Sequence, residues 1–187
     1  IYGHATMPAA ADTYAALIVS RNPDLVGIQE GVNDWLINTD MPTDYSRANL
    51  IGEALGECWQ QRYQIFINIC KGNSFISNRR FDLTDGPNAT RTGESAVISK
   101  NGQQYLMVNV HWDHQSEAAR QASGIETAAE IDAFSYLPAA VLGDFNTGCE
   151  TAGEYLNIVS SGLSQIVSGG IDCIFASGFA GAGETFN

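Results

Sequence analysis

The chain has 187 residues, of which 44% are hydrophobic, so it is long enough to form one domain with a sizeable core. No apolar run approaches the roughly 20 residues that a transmembrane helix needs. Nine basic residues against 21 acidic ones give a net charge of −12, which excludes broad electrostatic attraction to polyanions as the main source of affinity. Binding to nucleic acid would therefore be local and assisted by a metal ion.

The first part of the chain alternates helical and extended patterns. Apolar spacing predicts a helix over Pro8 to Arg21 and a short buried strand over Leu25 to Gln29, which delivers Glu30 at its end. A second helix is predicted over Arg47 to Trp59. Tyr63 to Ile69 then alternates with the two-residue period of a strand.

The central part of the chain has the pattern of antiparallel strands. Alternation continues from Ser74 to Leu83, and the Asp, Gly, Pro, Asn and Thr residues of Asp82 to Gly93 predict a loop. Glu94 to Ser99 and Gln104 to Val110 are predicted to form a hairpin, because Asn101-Gly102 between them is a strong two-residue turn signal.

The last part of the chain returns to alternating helices and strands. Helices are predicted over Glu117 to Phe134 and around Ala152 to Val159, with strands over Tyr136 to Leu142 and Ile171 to Phe175. Alternating elements with hairpins between them predict an α/β sandwich of mixed sheets flanked by helices. With no internal repeat or boundary, residues 1–187 are expected to form a single domain.

Polar side chains follow several of the predicted strands at the point where each strand ends. Glu30 ends one strand, His111 ends another, and Asp144 and Asn146 follow a third. Since residues i and i+2 of a strand share a face, Asp144 and Asn146 are expected to project together while Phe145 turns into the core. The carboxylate can take a proton from water and the amide can orient that water or a phosphate oxygen. The alternative is a Gly-Asp turn followed by an Asn cap.

Convergence of Glu30, Asp144 and Asn146 would make a site of the kind that Mg²⁺ prefers. Soft metals are poorly supported, because the sequence has no Cys-x-x-Cys pair and no helical His-x-x-x-His. His111 beside such a site could donate a hydrogen bond to a phosphate. Asp172 lies within an otherwise apolar run, where an unpaired carboxylate would cost several kcal/mol, so it is expected to have a partner. These residues together predict metal-assisted phosphoester hydrolysis.

Four ordered motifs carry a family resemblance that spans most of the chain. They are NPDLVGIQE at 22–30, NVHWDH at 109–114, LGDFN at 142–146 and IDCIF at 171–175. In order and spacing they resemble motifs of the endonuclease/exonuclease/phosphatase superfamily, which includes pancreatic deoxyribonuclease, abasic-site endonucleases, sphingomyelinases and inositol polyphosphate phosphatases. The resemblance implies a four-layered α/β sandwich.

The resemblance also implies a role for each motif residue. Glu30 would be the principal ligand of Mg²⁺, with Mn²⁺ or Ca²⁺ as alternative ions, and His111 would contact the scissile phosphate. Asp144 would orient or deprotonate the attacking water, and Asn146 would help to hold that water and a phosphate oxygen. Asp172 would pair with a second histidine and fix its tautomer.

The implied activity is that of a Mg²⁺-dependent phosphodiesterase, with nucleic acid favoured over lipid as the substrate. A sphingomyelinase, or an inositol or lipid phosphatase, is the second reading. A noncatalytic binding domain with the same fold is the third. Substrate selectivity is expected to lie in the loops at 33–47, 82–93 and 178–186.

The sequence departs from the family pattern at both ends and beside His111. Val110 stands where the family usually has Thr, and Trp112 where it commonly has Leu. The metal-binding Asn of the family's first strand and the Ser-Asp-His of its last motif are both absent from the sequence. We therefore expect a domain trimmed at both ends, with its terminal elements missing, or a domain that another segment completes.

Three further expectations concern residues outside the main motifs. Cys149 lies where pancreatic deoxyribonuclease also has a bridged cysteine, and the resemblance makes Cys173 its candidate partner, which favours a secreted or extracellular protein. Asp113 is expected either to support the active-site loop or to cap the following helix, and the cap is favoured. Arg79 and Arg80 should point to opposite faces of a strand, so at most one of them contacts a phosphate.

Overall fold

A computed structural model of the chain describes residues 7–29, 47–87, 89–149, 158 and 161–179. The helices are α1 (Met7–Arg21), α2 (Arg47–Leu55) and α3 (Glu117–Asp132). The strands are β1 (Leu25–Gly27), β2 (Trp59–Arg62), β3 (Ile65–Asn68), β4 (Asn73–Gly86), β5 (Ala89–Lys100), β6 (Gln103–His111), β7 (Ala139–Asp144), β8 (Ser164–Gly169) and β9 (Asp172–Ser177). Within these ranges no helix is long and apolar enough to cross a membrane.

The elements form four layers, which confirms the predicted α/β sandwich. A three-stranded sheet has the order β1-β3-β2, and a six-stranded sheet has the order β4-β5-β6-β7-β9-β8. Helices α1 and α2 pack on the outer face of the three-stranded sheet around Phe66 and Ile28. Helix α3 packs through Ile131 on the outer face of the six-stranded sheet. The two sheets enclose a third apolar cluster between them.

The two-residue period of β6 explains how one strand serves two cores. Tyr105 and Met107 belong to the cluster between the sheets, whereas Leu106 and Val108 belong to the cluster under α3. Burial on both faces requires apolar side chains at successive positions of the strand. The side chain of His111, four residues after Met107, therefore lies on the face between the sheets.

The six-stranded sheet is mixed, and its one parallel pair among the described strands fixes the location of the motifs. Strands β6 and β7 run parallel, while the other described pairs are antiparallel. The carboxyl ends of β6 and β7 therefore lie at the same end of the sheet, beside the beginning of β9. We call this end of the sheet the rim.

The prediction of a loop over Asp82 to Gly93 is wrong. Strands β4 and β5 continue through most of this segment as an antiparallel ladder in which Asp82 lies opposite Thr92. Backbone hydrogen bonds hold such a ladder even where its side chains are polar. Gly93 lies opposite Phe81 in this ladder, and a side chain at residue 93 would overlap the Phe81 ring. Glycine in this position marks close packing and not a turn.

Other element boundaries differ for local backbone reasons. The predicted helix over Arg47 to Trp59 ends at Leu55, because Gly56 takes a left-handed conformation with φ of 77°. Strand β3 begins at Ile65, after Tyr63 turns the chain with φ of 51°. The Asn101-Gly102 hairpin is confirmed, and both of its residues have positive φ, as a type I′ turn requires.

Two further differences concern the second half of the chain. Strand β8, which pairs with β9, was not anticipated by any pattern in the sequence. The helix predicted around Ala152 to Val159 falls outside the described residues except for Ile158, which is helical and buried.

All four cysteines form disulfides. Cys149 is joined to Cys173, with Cα atoms 6.1 Å apart, which confirms the predicted pairing. Cys58 is joined to Cys70, with Cα atoms 5.1 Å apart. The first bond ties the segment after β7 to the beginning of β9, next to Asp172.

Candidate active site

Three of the predicted site residues form one row across the rim. His111, the last residue of β6, lies opposite Asp144, the last residue of β7. Asp144 in turn lies opposite Asp172, the first residue of β9. Directly opposite residues of neighbouring strands project from the same face of a sheet. The fold therefore presents an imidazole and two carboxylates side by side, facing the space between the two sheets.

His111 and Asp144 form the centre of this row. The His111 Nε2 atom is 3.8 Å from the Asp144 Oδ2 atom, and each side chain is 18% exposed. Burial, together with the nearby charges of Arg91 and His114, lowers the pKa of His111 to about 3. The imidazole is therefore neutral near pH 7, and it acts as a hydrogen-bonding group and not as a fixed cation.

Asn146 is joined to Asp144 by a hydrogen-bonded turn and not by strand alternation. Strand β7 ends at Asp144, and Asn146 takes a left-handed conformation with φ of 53°. Its backbone N–H donates to Asp144 Oδ1 at 2.8 Å, and its Nδ2 donates to the Trp112 carbonyl at 2.8 Å. The Trp112 N–H donates to the Asp144 carbonyl at 3.0 Å. The segments that follow β6 and β7 are thus held together, with the carboxamide of Asn146 fixed at the rim.

The expectation for Asp172 was wrong in one respect. Asp172 is not enclosed in an apolar strand, because it is the exposed first residue of β9, and the buried positions begin with Cys173. Burial therefore does not require a partner for this carboxylate. Its assigned pairing with a second histidine stays a prediction from the resemblance.

Asp113 organises the turn between β6 and α3. It is buried, and its Oδ1 atom accepts hydrogen bonds from the backbone N–H groups of Gln115 at 2.8 Å and Ser116 at 2.6 Å. Ser116 is the N-cap of α3 and accepts from the Ala119 N–H at 3.1 Å. The prediction that Asp113 caps this helix was therefore wrong, because Ser116 is the N-cap and Asp113 holds the turn that precedes it.

The electrostatics of Asp113 favour its charged form. Burial alone would raise the pKa of its carboxyl, but the two backbone hydrogen bonds and the nearby Arg91 hold the pKa below the ordinary value of 3.8. A carboxyl with a lowered pKa in the folded state stabilises that state above the unfolded pKa, and this contribution is lost as the pH falls through the folded pKa.

We expect the Asp113→Asn substitution to lower the free energy of unfolding, and we expect the size of this loss to depend on pH. At about pH 7 the variant should be less stable by roughly 1–2 kcal/mol, because the hydrogen bonds lose their charged acceptor. The difference from wild type should shrink as the pH falls below 3.8. Urea unfolding of both proteins between about pH 3 and pH 7 measures it. The exposed Asp132→Asn substitution is the control, and an Asp113→Asn difference that is independent of pH would contradict the expectation.

Arg91 is a residue at the rim that the sequence analysis missed. Its side chain is 11% exposed, with Nε 3.9 Å from Asp113 Oδ2. A terminal nitrogen lies 3.2 Å from His114 Nδ1. Arg91 lies in the segment that was predicted to be a loop, so its position on β5 was not predicted. Arg91 is largely buried and engaged by Asp113 and His114, and it supplies positive charge beside the motif histidines.

The other two candidate cations are engaged elsewhere. Arg79 and Arg80 point to opposite faces of β4, as predicted. Arg79 pairs with the buried Glu130 of α3, and Arg80 lies 3.3 Å from the buried Glu94. Both guanidinium groups are therefore held by carboxylates, and we assign neither of them to phosphate binding.

The available donors fit a hard cation. Glu30 lies outside the described residues, and among the described ones no group of three or more His, Cys, Asp or Glu is placed to hold a metal ion. The rim supplies the oxygens of Asp144, Asn146 and Asp172, whereas every cysteine is bonded in a disulfide. Mg²⁺ requires few protein oxygens because it keeps several waters and binds substrate phosphates. This donor set therefore suits Mg²⁺ better than a soft metal.

The fold and the rim define the class of protein, an α/β sandwich with histidine and carboxylate side chains at the end of one sheet. The sequence model that describes the endonuclease/exonuclease/phosphatase family matches residues 1–164, and the chain belongs to this family. No curated protein matches the chain.

Solved structures share the fold. Mannosyl-6-phosphatase Bt3783 of Bacteroides thetaiotaomicron has a TM-score of 0.72 and 20% identity, over 92% of this chain and 78% of that one. The human Nocturnin catalytic domain has a TM-score of 0.65 and 16% identity, over 90% and 75%. A truncated TDP2 of Caenorhabditis elegans has a TM-score of 0.65 and 16% identity, over 92% and 77%.

Proposed function

We propose that this protein hydrolyses phosphoester bonds with the help of a divalent cation, Mg²⁺ in the first place and Mn²⁺ or Ca²⁺ as alternatives. The observation that supports the proposal best is the row of His111, Asp144 and Asp172 in consecutive strand register at the rim. Asn146 is hydrogen-bonded into the same group. We assign the metal ligand to Glu30, which follows β1 in the sequence.

The chemistry assigned to these residues is attack of water on phosphorus. Asp144 accepts a proton from water, the water oxygen forms a bond to phosphorus, and the bond to the leaving oxygen breaks in line. The leaving oxygen takes up a proton from solvent water, and Asp144 releases to solvent the proton that it accepted. Neutral His111 donates a hydrogen bond to a phosphate oxygen, and the carboxamide of Asn146 orients the water. A bound divalent cation would neutralise phosphate charge and orient the substrate.

We propose a phosphodiester of nucleic acid as the first substrate to test. Family membership supports it, and Arg91 provides a cation beside the motif histidines. The net charge of −12 argues for few phosphate contacts, since a long polyanion would meet an acidic surface.

A phosphomonoester is the second candidate substrate. The structural similarity to a mannosyl-6-phosphatase favours it, and a single small phosphate requires only one local cation. Sphingomyelin and inositol phosphates complete the set of substrates that the family resemblance suggests.

The test is a substrate panel of plasmid DNA, mannose 6-phosphate, an inositol phosphate and sphingomyelin, each with Mg²⁺ and with chelator. Turnover of any member only in the presence of metal supports phosphoester hydrolysis, and the preferred member identifies the substrate class. Nicking of DNA that is lost in Asp144→Ala would support the nuclease proposal. Failure of every substrate with Mg²⁺, Mn²⁺ and Ca²⁺ would reject catalysis and favour a binding domain with this fold.

A further inference from the structure

Asn109 joins the two sheets two residues before His111. It is buried at 3% exposure, and its Nδ2 donates to the carbonyl of Ile28 at 3.0 Å. Its Oδ1 accepts from Gln29 Nε2 at 2.7 Å. Both groups belong to the segment that leaves β1, immediately before Glu30 in the chain. The side chain of Asn109, on the six-stranded sheet, therefore holds this segment at two points, the backbone of Ile28 and the side chain of Gln29.

A second contact from the six-stranded sheet holds the same segment indirectly. Glu94 lies opposite Asn109 in the β5–β6 ladder, and its Oε2 accepts from the backbone N–H of Gln64 at 2.8 Å. The carbonyl of Gln64 accepts from the N–H of Ile28 at 3.0 Å. The peptide groups on both sides of Ile28 are thus fixed, one through Glu94 and the other by Asn109.

Gly27 allows the two sheets to approach closely at this point. A Cβ atom at residue 27 would lie 2.6 Å from Asn109 Oδ1, and it would also overlap the side chain of Leu142. Only a residue without a side chain leaves the carboxamide of Asn109 room to reach the backbone after β1. The contacts of Asn109 are therefore part of the packing between the sheets and not a contact between surface groups.

We infer that Asn109 is a positioning residue for the metal ligand, because it fixes the segment before Glu30 relative to His111 and Asp144 on the opposite sheet. This inference rests on the proposed function, in which Glu30 holds the divalent cation. Residues that orient a ligand without touching the metal commonly change its affinity about 10- to 100-fold when they are mutated. Asn109 is not itself a metal ligand in this assignment.

The chain provides a matched control at the other end of β1. Asn73, on β4, is buried at 3% exposure. Its Nδ2 donates to the carbonyl of Asn68 at 2.9 Å and to Asp24 Oδ1 at 3.1 Å. Asn73 thus joins the same two sheets before β1 begins, whereas Asn109 joins them after β1 ends. Replacing either residue with alanine removes similar hydrogen bonds, but only Asn109 contacts the segment that immediately precedes the proposed metal ligand.

The experiment measures Mg²⁺ binding by isothermal titration calorimetry and stability by thermal unfolding for the wild type, Glu30→Gln, Asn109→Ala and Asn73→Ala. We expect both alanine variants to lower Tm by comparable amounts. Asn109→Ala should raise the Kd for Mg²⁺ about 10- to 100-fold, and Asn73→Ala should change it less than about twofold. If Asn109→Ala is not recovered folded, Gln29→Ala, which removes one of the two contacts, takes its place in the comparison.

The outcomes separate the inference from the proposal on which it rests. Mg²⁺ binding that Glu30→Gln removes, and that Asn109→Ala weakens no more than Asn73→Ala does, overturns the inference and leaves the proposed function intact. A wild-type protein that binds no Mg²⁺ overturns the magnesium assignment, and the inference with it. Selective weakening in Asn109→Ala establishes the positioning role.

Discussion

The Asp144→Asn variant is expected to lower kcat/KM for the best phosphoester substrate by about 10²- to 10⁴-fold. Asparagine keeps the size of the side chain and can still accept the hydrogen bond that the Asn146 N–H donates to Oδ1. It cannot take a proton from water, and its amide group would face His111, which now lies near Oδ2. Initial rates over a range of substrate concentrations at constant Mg²⁺ measure the effect.

Two controls isolate the chemical role of Asp144. The exposed Asp132→Asn variant should retain wild-type rates, and thermal unfolding should show that Asp144→Asn remains folded. A folded Asp144→Asn variant that keeps kcat/KM within about tenfold of the wild type would contradict its assignment as the base that activates water.

The Gly143→Ala variant is expected to lose about 3 kcal/mol of stability or more, at or above the upper end of the usual cost of overpacking. A Cβ atom at residue 143 would overlap the backbone carbonyl oxygen of Val110 on the adjacent strand. Backbone atoms cannot rotate away as a side chain can, so β6 and β7 must separate. Because His111 and Asp144 end these two strands, the variant molecules that do fold should also hydrolyse the substrate slowly.

Urea unfolding measures the stability of Gly143→Ala, and Gly102→Ala is its matched control. Gly102 has a φ of 87°, and no atom lies within 4 Å of the place that an alanine Cβ would take, so alanine there meets only the strain of the left-handed conformation. That strain costs roughly 1–2 kcal/mol. Equal losses of stability in the two variants would show that the packing of β6 against β7 does not depend on glycine at residue 143.

Strand periodicity made much of the fold predictable. In β3, the alternation of Ile65 and Ile67 predicted a strand, and both residues are buried on the face that packs between the sheets. Asn101-Gly102 identified a turn because few residue pairs accept positive φ at both positions. These are local rules, in which a short stretch of sequence determines its own backbone.

Features that depend on distant parts of the chain were not predictable in this way. Gly93 belongs to a segment with the composition of a loop, but it lies in a strand paired with β4, where the Phe81 ring occupies the space that a side chain would take. Asp172 was placed inside a strand because the pattern does not show where pairing with β7 begins. In both cases the deciding contact comes from another strand.

The candidate site likewise contains residues that the sequence identified and residues that depend on distant parts of the chain. The resemblance selected His111, Asp144 and Asn146, and the strand register brings them together at the rim. Arg91 and Asn109 were not selected. Asn109 stood within a quoted motif, but its importance comes from Ile28 and Gln29, about 80 residues earlier in the chain, and no spacing rule connects them.

The most direct test of the central claim is turnover of a model phosphodiester by the wild-type protein in ¹⁸O-labelled water, with Mg²⁺ and after its removal by a chelator. If water activated beside Asp144 attacks phosphorus, one labelled oxygen should enter the phosphoryl product in each turnover, and chelation should stop the reaction until Mg²⁺ is restored. Label in the released alcohol, or turnover that persists without a divalent cation, would contradict the account.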